Sequence, residues 1–251
     1  MGRCYSSSYR WSRRRRVPHD SGVPLVTMHI WRVPPVRVGA ALWRVARDRG
    51  RVRALPGCAF AKVLGTGRGF GPGGADATRW AVLSAWHSPA AAADFEAGTV
   101  ASAWRRIATA ECRLDLAPLS GRGTWAGRRP FEPDPGAAPD RGIVVALTRA
   151  RLRPARALRF WRAIGPVADA VARADGLHAT FGVGEAPIGW QGTVSVWRDA
   201  AALRAFAYRN PAHTSAIAAT PAERWYAEEL FARFALLDVA GDRSVIGWAA
   251  A

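Results

Sequence analysis

The chain has 251 residues, 49% of them apolar and 22% charged, which is ample for a packed core and excludes a disordered tail. No apolar run approaches the roughly 18 residues of a membrane-spanning helix, so the chain reads as soluble, cytoplasmic and at most peripheral to a membrane. The formal net charge of +17 invites nucleic acid, yet Lys62 is the only lysine among the 36 basic residues and the arginines are scattered through every segment; with no zinc-finger or RNP-type spacing, no nucleic-acid partner is expected.

A basic surface would still attract an acidic protein or anionic lipid. Cys4, Cys58 and Cys112 are well separated. They offer neither a disulfide framework nor a Cys-x-x-Cys site, in keeping with a reducing cytoplasm.

Residues 1–24 read as an unstructured Arg-rich leader. No apolar core follows Arg13–Arg16, which argues against a secretory or twin-arginine signal; a start set too early, with the chain proper opening near Val23 to Met28, is preferred to a basic arm. Leu25–Val33 is expected as a strand with Thr27, His29 and Trp31 on one face and Val26, Met28 and Ile30 on the other. Val38–Arg49 follows as a helix with Val38, Ala41, Leu42 and Val45 inward. Gly57–Leu64 is the second strand. The glycine-rich stretch Gly65–Gly74 has no Gly-Lys-Ser/Thr and joins strand to strand, so it reads as a loop and not a phosphate cradle. Trp80–Trp86 is the third strand, Pro89–Thr109 a helix and Arg113–Leu119 the fourth strand.

That order is β-α-β-β-α-β, the ferredoxin-like unit. A proline- and glycine-rich linker over 126–142 separates a first repeat, 25–125, from a second, 143–251. In the second, Ile143–Thr148 is a strand and Pro154–Arg173 a helix with Leu158, Trp161, Ala168 and Val171 inward. Leu177–Val183 and Gly192–Trp197 are strands, and Ala200–Arg209 is a helix. Thr220–Glu223 reads as a capping box opening a helix that carries Trp225, Tyr226, Leu230 and Phe231, and Phe234–Val239 is the last strand. Ser84 matches Ser195, Trp86 matches Trp197 and Phe95 matches Phe206, while Ser102 stands where the later half has His213. Gly57, Gly65 and Gly121 match Gly176, Gly184 and Gly241. The expected fold is α+β: tandem ferredoxin-like repeats of the dimeric α+β barrel type, their sheets packed face to face.

None of Gly-x-Ser-x-Gly, His-Glu-x-x-His or a dinucleotide fingerprint is present, so any reaction is expected to use a cofactor. His19 and His87 read as exposed, and His29 and His178 as strand residues. Asn210 can cap a helix and Pro211 fits its first position, which puts His213 in the first turn. There the helix dipole disfavours imidazolium and leaves a neutral nitrogen able to bind a metal; a solvated or structural histidine is the plain alternative. Twelve tryptophans indicate either an aromatic pocket for a flat or long apolar ligand or a tryptophan-rich core.

Several stretches resemble the spheroidene monooxygenase family of carotenoid biosynthesis: Ser120–Gly127 with Pro130–Pro133, Leu147–Ala150 with Leu158–Arg162, Gly182–Pro187, Phe206–His213 and Trp225–Phe234. The resemblance implies a haem-dependent, O2-using monooxygenase that acts on an apolar polyene and draws electrons from a donor such as reduced ferredoxin. In that family an allylic methylene is hydroxylated twice and the gem-diol loses water to leave a ketone. Related duplicated folds hold haem through a helix histidine, which implies His213 as the iron ligand. Tyr208, Arg209 and Asn210 would then stand near it, with Arg209 on a propionate and Asn210 positioning the helix; Trp31 and Arg32 would lie on the distal side. A cofactor-free or haem-degrading monooxygenase of the same architecture, and a non-catalytic haem or apolar-ligand binder, are the competing readings.

Overall fold

The computed structural model describes residues 25–68, 74–133, 142–185 and 192–248; the leader and the tip of the glycine-rich loop lie outside them. The elements run β1 (Leu25–Arg32), α1 (Val38–Arg53), β2 (Cys58–Gly67), β3 (Ala75–Trp86), α2 (Pro89–Ala97), α3 (Thr99–Arg105), β4 (Ala110–Gly123), β5 (Val144–Leu152), α4 (Ala157–Ala172), β6 (Leu177–Gly184), β7 (Gly192–Trp197), α5 (Ala200–Arg209), α6 (Pro211–Glu223) and β8 (Tyr226–Gly241). The order of elements repeats.

The strands form one closed antiparallel barrel in the order β1-β3-β2-β6-β7-β5-β8-β4, where the sequence led us to expect two sheets face to face. The two four-stranded halves join edge to edge, β2 to β6 and β4 to β8. Every strand thus has a partner on both sides, over eleven positions at the β4–β8 seam but only three, Gly65–Gly67 on Gly182–Gly184, at the β2–β6 seam. Residues alternate about the wall. Val26, Met28, Ile30, Leu83, Leu114, Val145, Phe181, Val194 and Phe234 fill the interior, and Trp31, Val63, Val82 and Trp86 face out under the first helical layer.

Equivalent corners are built alike. Gly57 and Gly176 both have positive φ (72° and 76°), and a Cβ on either would fall 2.5 or 2.6 Å from the Cβ of Ala91 or Ala202. Their carbonyls accept from His87 N and Arg198 N. Ser88 and Asp199 then cap α2 and α5 by accepting from Ala91 N and Ala202 N, satisfying one orphan N–H each.

Five local expectations are corrected. The Thr220–Glu223 stretch ends α6 and does not open a helix; Arg224 turns the chain at φ 48°, and Leu230, Ala232 and Phe234 enter the core at strand period. The helix expected over Pro89–Thr109 is two, because Gly98 is extended between them. Leu42 and Leu158 face solvent, at 42% and 63% exposure; the inward faces are instead Ala41-Val45-Asp48-Val52 and Val167-Val171. The glycine-rich stretch begins as β2 itself, and Arg68 N donates to Gly74 O across the hairpin. Phe131, in the stretch assigned to the linker, is buried in the barrel core.

Candidate active site

Leu25 stands opposite Trp86 as Val144 stands opposite Trp197, so the outward faces of the two halves can be compared position by position. In the first half that face is filled. Thr27, His29, Trp31, Ala61, Val63, Trp80, Val82, Ser84 and Trp86 are all buried, and Trp31 stacks on Trp104 of α3 at 5.4 Å. In the second half Ala150 replaces Trp31, Thr148 replaces His29, Thr193 replaces Val82, and Ser215 of α6 replaces Trp104.

Three of the replacements remove bulk, and Thr193 sets a hydroxyl where Val82 has a methyl. Thr148 is exposed, and Ala146, Thr180, Thr193 and Ser195 are half-buried. Helix α6 packs chiefly on α4 and α5. Among the described residues the buried outer cluster of the first half contains four tryptophans, that of the second only Trp197. The outward face of the second half is therefore less filled than that of the first and carries hydroxyls where the first has aromatic rings. Phe160 and Trp161 of α4 meet Trp225 and Tyr226 where α6 gives way to β8, with ring contacts of 5.1 to 6.3 Å.

His213 sits in the helical layer over that half. Asn210 Oδ1 accepts from His213 N at 3.2 Å, so Asn210 caps α6 as expected of a residue before Pro211. The imidazole packs on Phe206 at 5.0 Å, and Phe206 packs on Trp197 at 5.4 Å, which puts the ring on the sheet side of the helices. Nδ1 lies 2.8 Å from Ala207 O. A carbonyl only accepts, so Nδ1 carries a proton, and Nε2 is the nitrogen whose lone pair a neutral ring would offer. Metal-binding histidines are commonly oriented this way, with the far nitrogen donating to a backbone carbonyl.

The other expected site residues are not all gathered here. Tyr208 is 64% exposed and Arg209 is exposed, both at the end of α5 one turn from His213. Trp31 is fully buried between His29 and Trp104 in the other half's helical layer, and Arg32 reaches the carbonyls of Ser244 and Val245. The structure therefore does not bring Trp31 or Arg32 to His213, because the two helical layers lie on opposite outsides of one barrel and not across a shared interior. His29 bonds Glu111 at 3.2 Å with Glu96 at 3.5 Å. His178 stacks on Trp248 at 5.0 Å. Among the described residues no group of three His, Cys, Asp or Glu side chains could hold a metal.

One polar cluster escaped the sequence reading. Inside the barrel the Arg149 guanidinium donates to Glu228 and, at 3.2 Å, to Glu185. Lys62 donates to Glu185 at 2.6 Å and Trp125 Nε1 at 2.5 Å. Burial would raise both carboxyls. Donors from Lys62 and Trp125 outweigh it and hold Glu185 below its usual range; bonds from Gly127 N and Arg149 bring Glu228 to about 2. The signal was present: Lys62, Arg149 and Glu185 each fall on the apolar phase of a strand pattern.

A crystal structure of aldoxime dehydratase shares this architecture at TM-score 0.55 and 12% identity, over 90% of this chain and 89% of that one; a second, with butyraldoxime bound, gives 0.55 and 10% over 90% and 87%. The fold is thus an α+β barrel of a kind that carries enzymes. No family model matches the chain. It is 39% identical to spheroidene monooxygenase of Rhodobacter capsulatus over 79% of this chain and 81% of that protein. It is 40% identical to the one of Rubrivivax gelatinosus over 82% and 80%, and 35% identical to that of Cereibacter sphaeroides over 74% and 58%. The chain belongs to the spheroidene monooxygenase family, a family of oxygen-dependent monooxygenases.

Proposed function

We propose that this protein is a haem-dependent monooxygenase that places a keto group on a carotenoid of the spheroidene type, with haem held by His213 between α6 and the outward face of the second half. The observation that carries the reading is the contrast between the two outward faces. The positions that Trp31 and Trp104 fill in the first half are held by Ala150 and Ser215 in the second, where α6 also carries an imidazole oriented through its Nδ1–H. Bound haem would supply activation of O2. His213 Nε2 would hold the iron, Ala207 O would fix the ring, Asn210 would set the start of α6, and Arg209 would lie within reach of a propionate. The aromatic corner at Phe160, Trp161 and Trp225 offers the apolar wall a polyene needs and would exclude water from it.

Two hydroxylations of one allylic methylene, each consuming O2, two electrons and two protons and releasing water, followed by loss of water from the gem-diol, leave the ketone. The electrons would come from a donor such as reduced ferredoxin. Arg151, Arg153, Arg156 and Arg224 line an open basin of about 760 Å³ with no carboxylate in its wall, a surface suited to an acidic partner. The repeated order of elements supports descent of the two halves from a duplicated unit. Gly65 pairs directly with Gly184 and Leu116 with Leu236, as counterparts do across a two-fold axis.

The test is turnover: purified protein, haem, a reductant and spheroidene under 18O2. The reading requires the label in a ketone product. Product formed equally without haem would favour the cofactor-free alternative, and bound haem without product the binding module.

A further inference from the structure

Helix α1 turns an apolar ridge toward solvent. Its buried face is Ala41, Val45, Asp48 and Val52, and a surface helix ordinarily presents charge on the opposite side. Here the outermost line runs from Val36, in the 3-10 turn Pro35–Arg37 that leads into the helix, through Gly39, Trp43, Ala46 and Gly50, all exposed. Val36 is 89% exposed, Trp43 56% and neighbouring Leu42 42%. No other segment of the described residues groups three exposed large apolar side chains.

The charge around the ridge has one sign. From Pro34 to Gly57 every ionised side chain but one is arginine. The exception, Asp48, is fully buried and faces Arg44 and Arg51 at 4.0 and 3.8 Å, so it presents no negative charge outward. Arg47 lies over the Trp43 ring at 4.8 Å, with Arg37 exposed beside Val36.

We infer that this face of α1 docks the protein on an anionic lipid bilayer. Trp43, Leu42 and Val36 would enter the headgroup boundary while Arg37, Arg47 and Arg51 reach lipid phosphates, the arrangement of interfacial helices. A convex ridge with isolated apolar tips suits a deformable phase; a protein partner would need a matching groove, and a second copy would set arginines against arginines. The inference stands apart from the reading of the His213 site, since it requires neither haem nor turnover.

The test is flotation of the full-length chain with vesicles of phosphatidylglycerol mixed into phosphatidylcholine, against phosphatidylcholine alone. The wild type should float with the anionic vesicles only, and less as salt rises. Arg47→Gln should weaken partitioning about fivefold, and Trp43→Ser combined with Val36→Ser more than about tenfold, with thermal melting unchanged. Leu158→Ser, which removes an exposed leucine from α4, should float as wild type does. Equal flotation on neutral vesicles, no flotation at all, or wild-type flotation by the Trp43 variant (binding through the leader) would each overturn the inference. So would self-association in lipid-free buffer that Trp43→Ser abolishes, since the ridge would then be a contact between copies.

Discussion

Replacing Arg149 with methionine removes the one cation that joins β5 to carboxylates on β8 and at the end of β6. The side chain is 4% exposed, its guanidinium donates to Glu228 and Glu185, and it lies 5.3 Å from the Trp125 ring. Deleting one partner of a buried ion pair costs about 3–5 kcal/mol, because the remaining charge stays desolvated. Here the orphans keep partners. Glu228 retains Gly127 N at 2.9 Å and Thr124 Oγ1 at 3.1 Å, and Glu185 retains Lys62 and Trp125. The lower end, about 3 kcal/mol, is therefore expected, a fall in Tm of about 6–12 °C for a chain of this length. Thermal unfolding followed by circular dichroism measures it, and a cycle with Glu228→Gln isolates the pair. A loss under about 0.5 kcal/mol, or one that does not shrink in the Glu228→Gln background, would refute the view that Arg149 is a buried tie between β5, β6 and β8.

Three further outcomes follow from the same geometry. Gly57→Ala and Gly176→Ala should each cost about 1–2 kcal/mol from positive φ alone, with more from the Ala91 and Ala202 contacts; denaturant titration of one variant matching wild type would break the equivalence of the two corners. Burial would raise the Glu111 carboxyl, but bonds from His29 and Arg105 bring it to about 2. Its contribution to stability is therefore complete above about pH 4.5 and lost as pH falls toward 2, so Glu111→Gln should flatten that part of the stability profile, and an unchanged slope would refute the assignment. Asn210→Ala should cost about 1 kcal/mol by loss of the cap and loosen haem retention at His213; urea melts and haem titration of one preparation check both.

Much of the fold could be read from period and punctuation. The Trp86–Phe95 and Trp197–Phe206 packing at 5.4 Å follows from the matched residues, and so do the paired caps at Ser88 and Asp199. Barrel closure could not, because strand edges carry no side-chain signature of their partner. The helix read at Trp225–Phe231 failed for another reason: Trp225, Tyr226, Leu230 and Phe231 fit helical spacing, and only pairing with β4 and β5 fixes them as strand. At the candidate site, Pro211 and Asn210 gave away the turn that carries His213. The contrast between the two outward faces emerges only when Ala150 and Ser215 are set against Trp31 and Trp104 in register. The family resemblance put Trp31 on the distal side of the haem; in the structure its ring is buried and stacked on Trp104.

The most direct measurement is the absorption spectrum of the purified chain offered haem, with His213→Ala beside it. The wild type should take up haem and show a Soret band, and the variant should keep its fold by circular dichroism and lose the band. A folded wild type that stays colourless, or a variant whose spectrum matches it, would contradict haem ligation by His213.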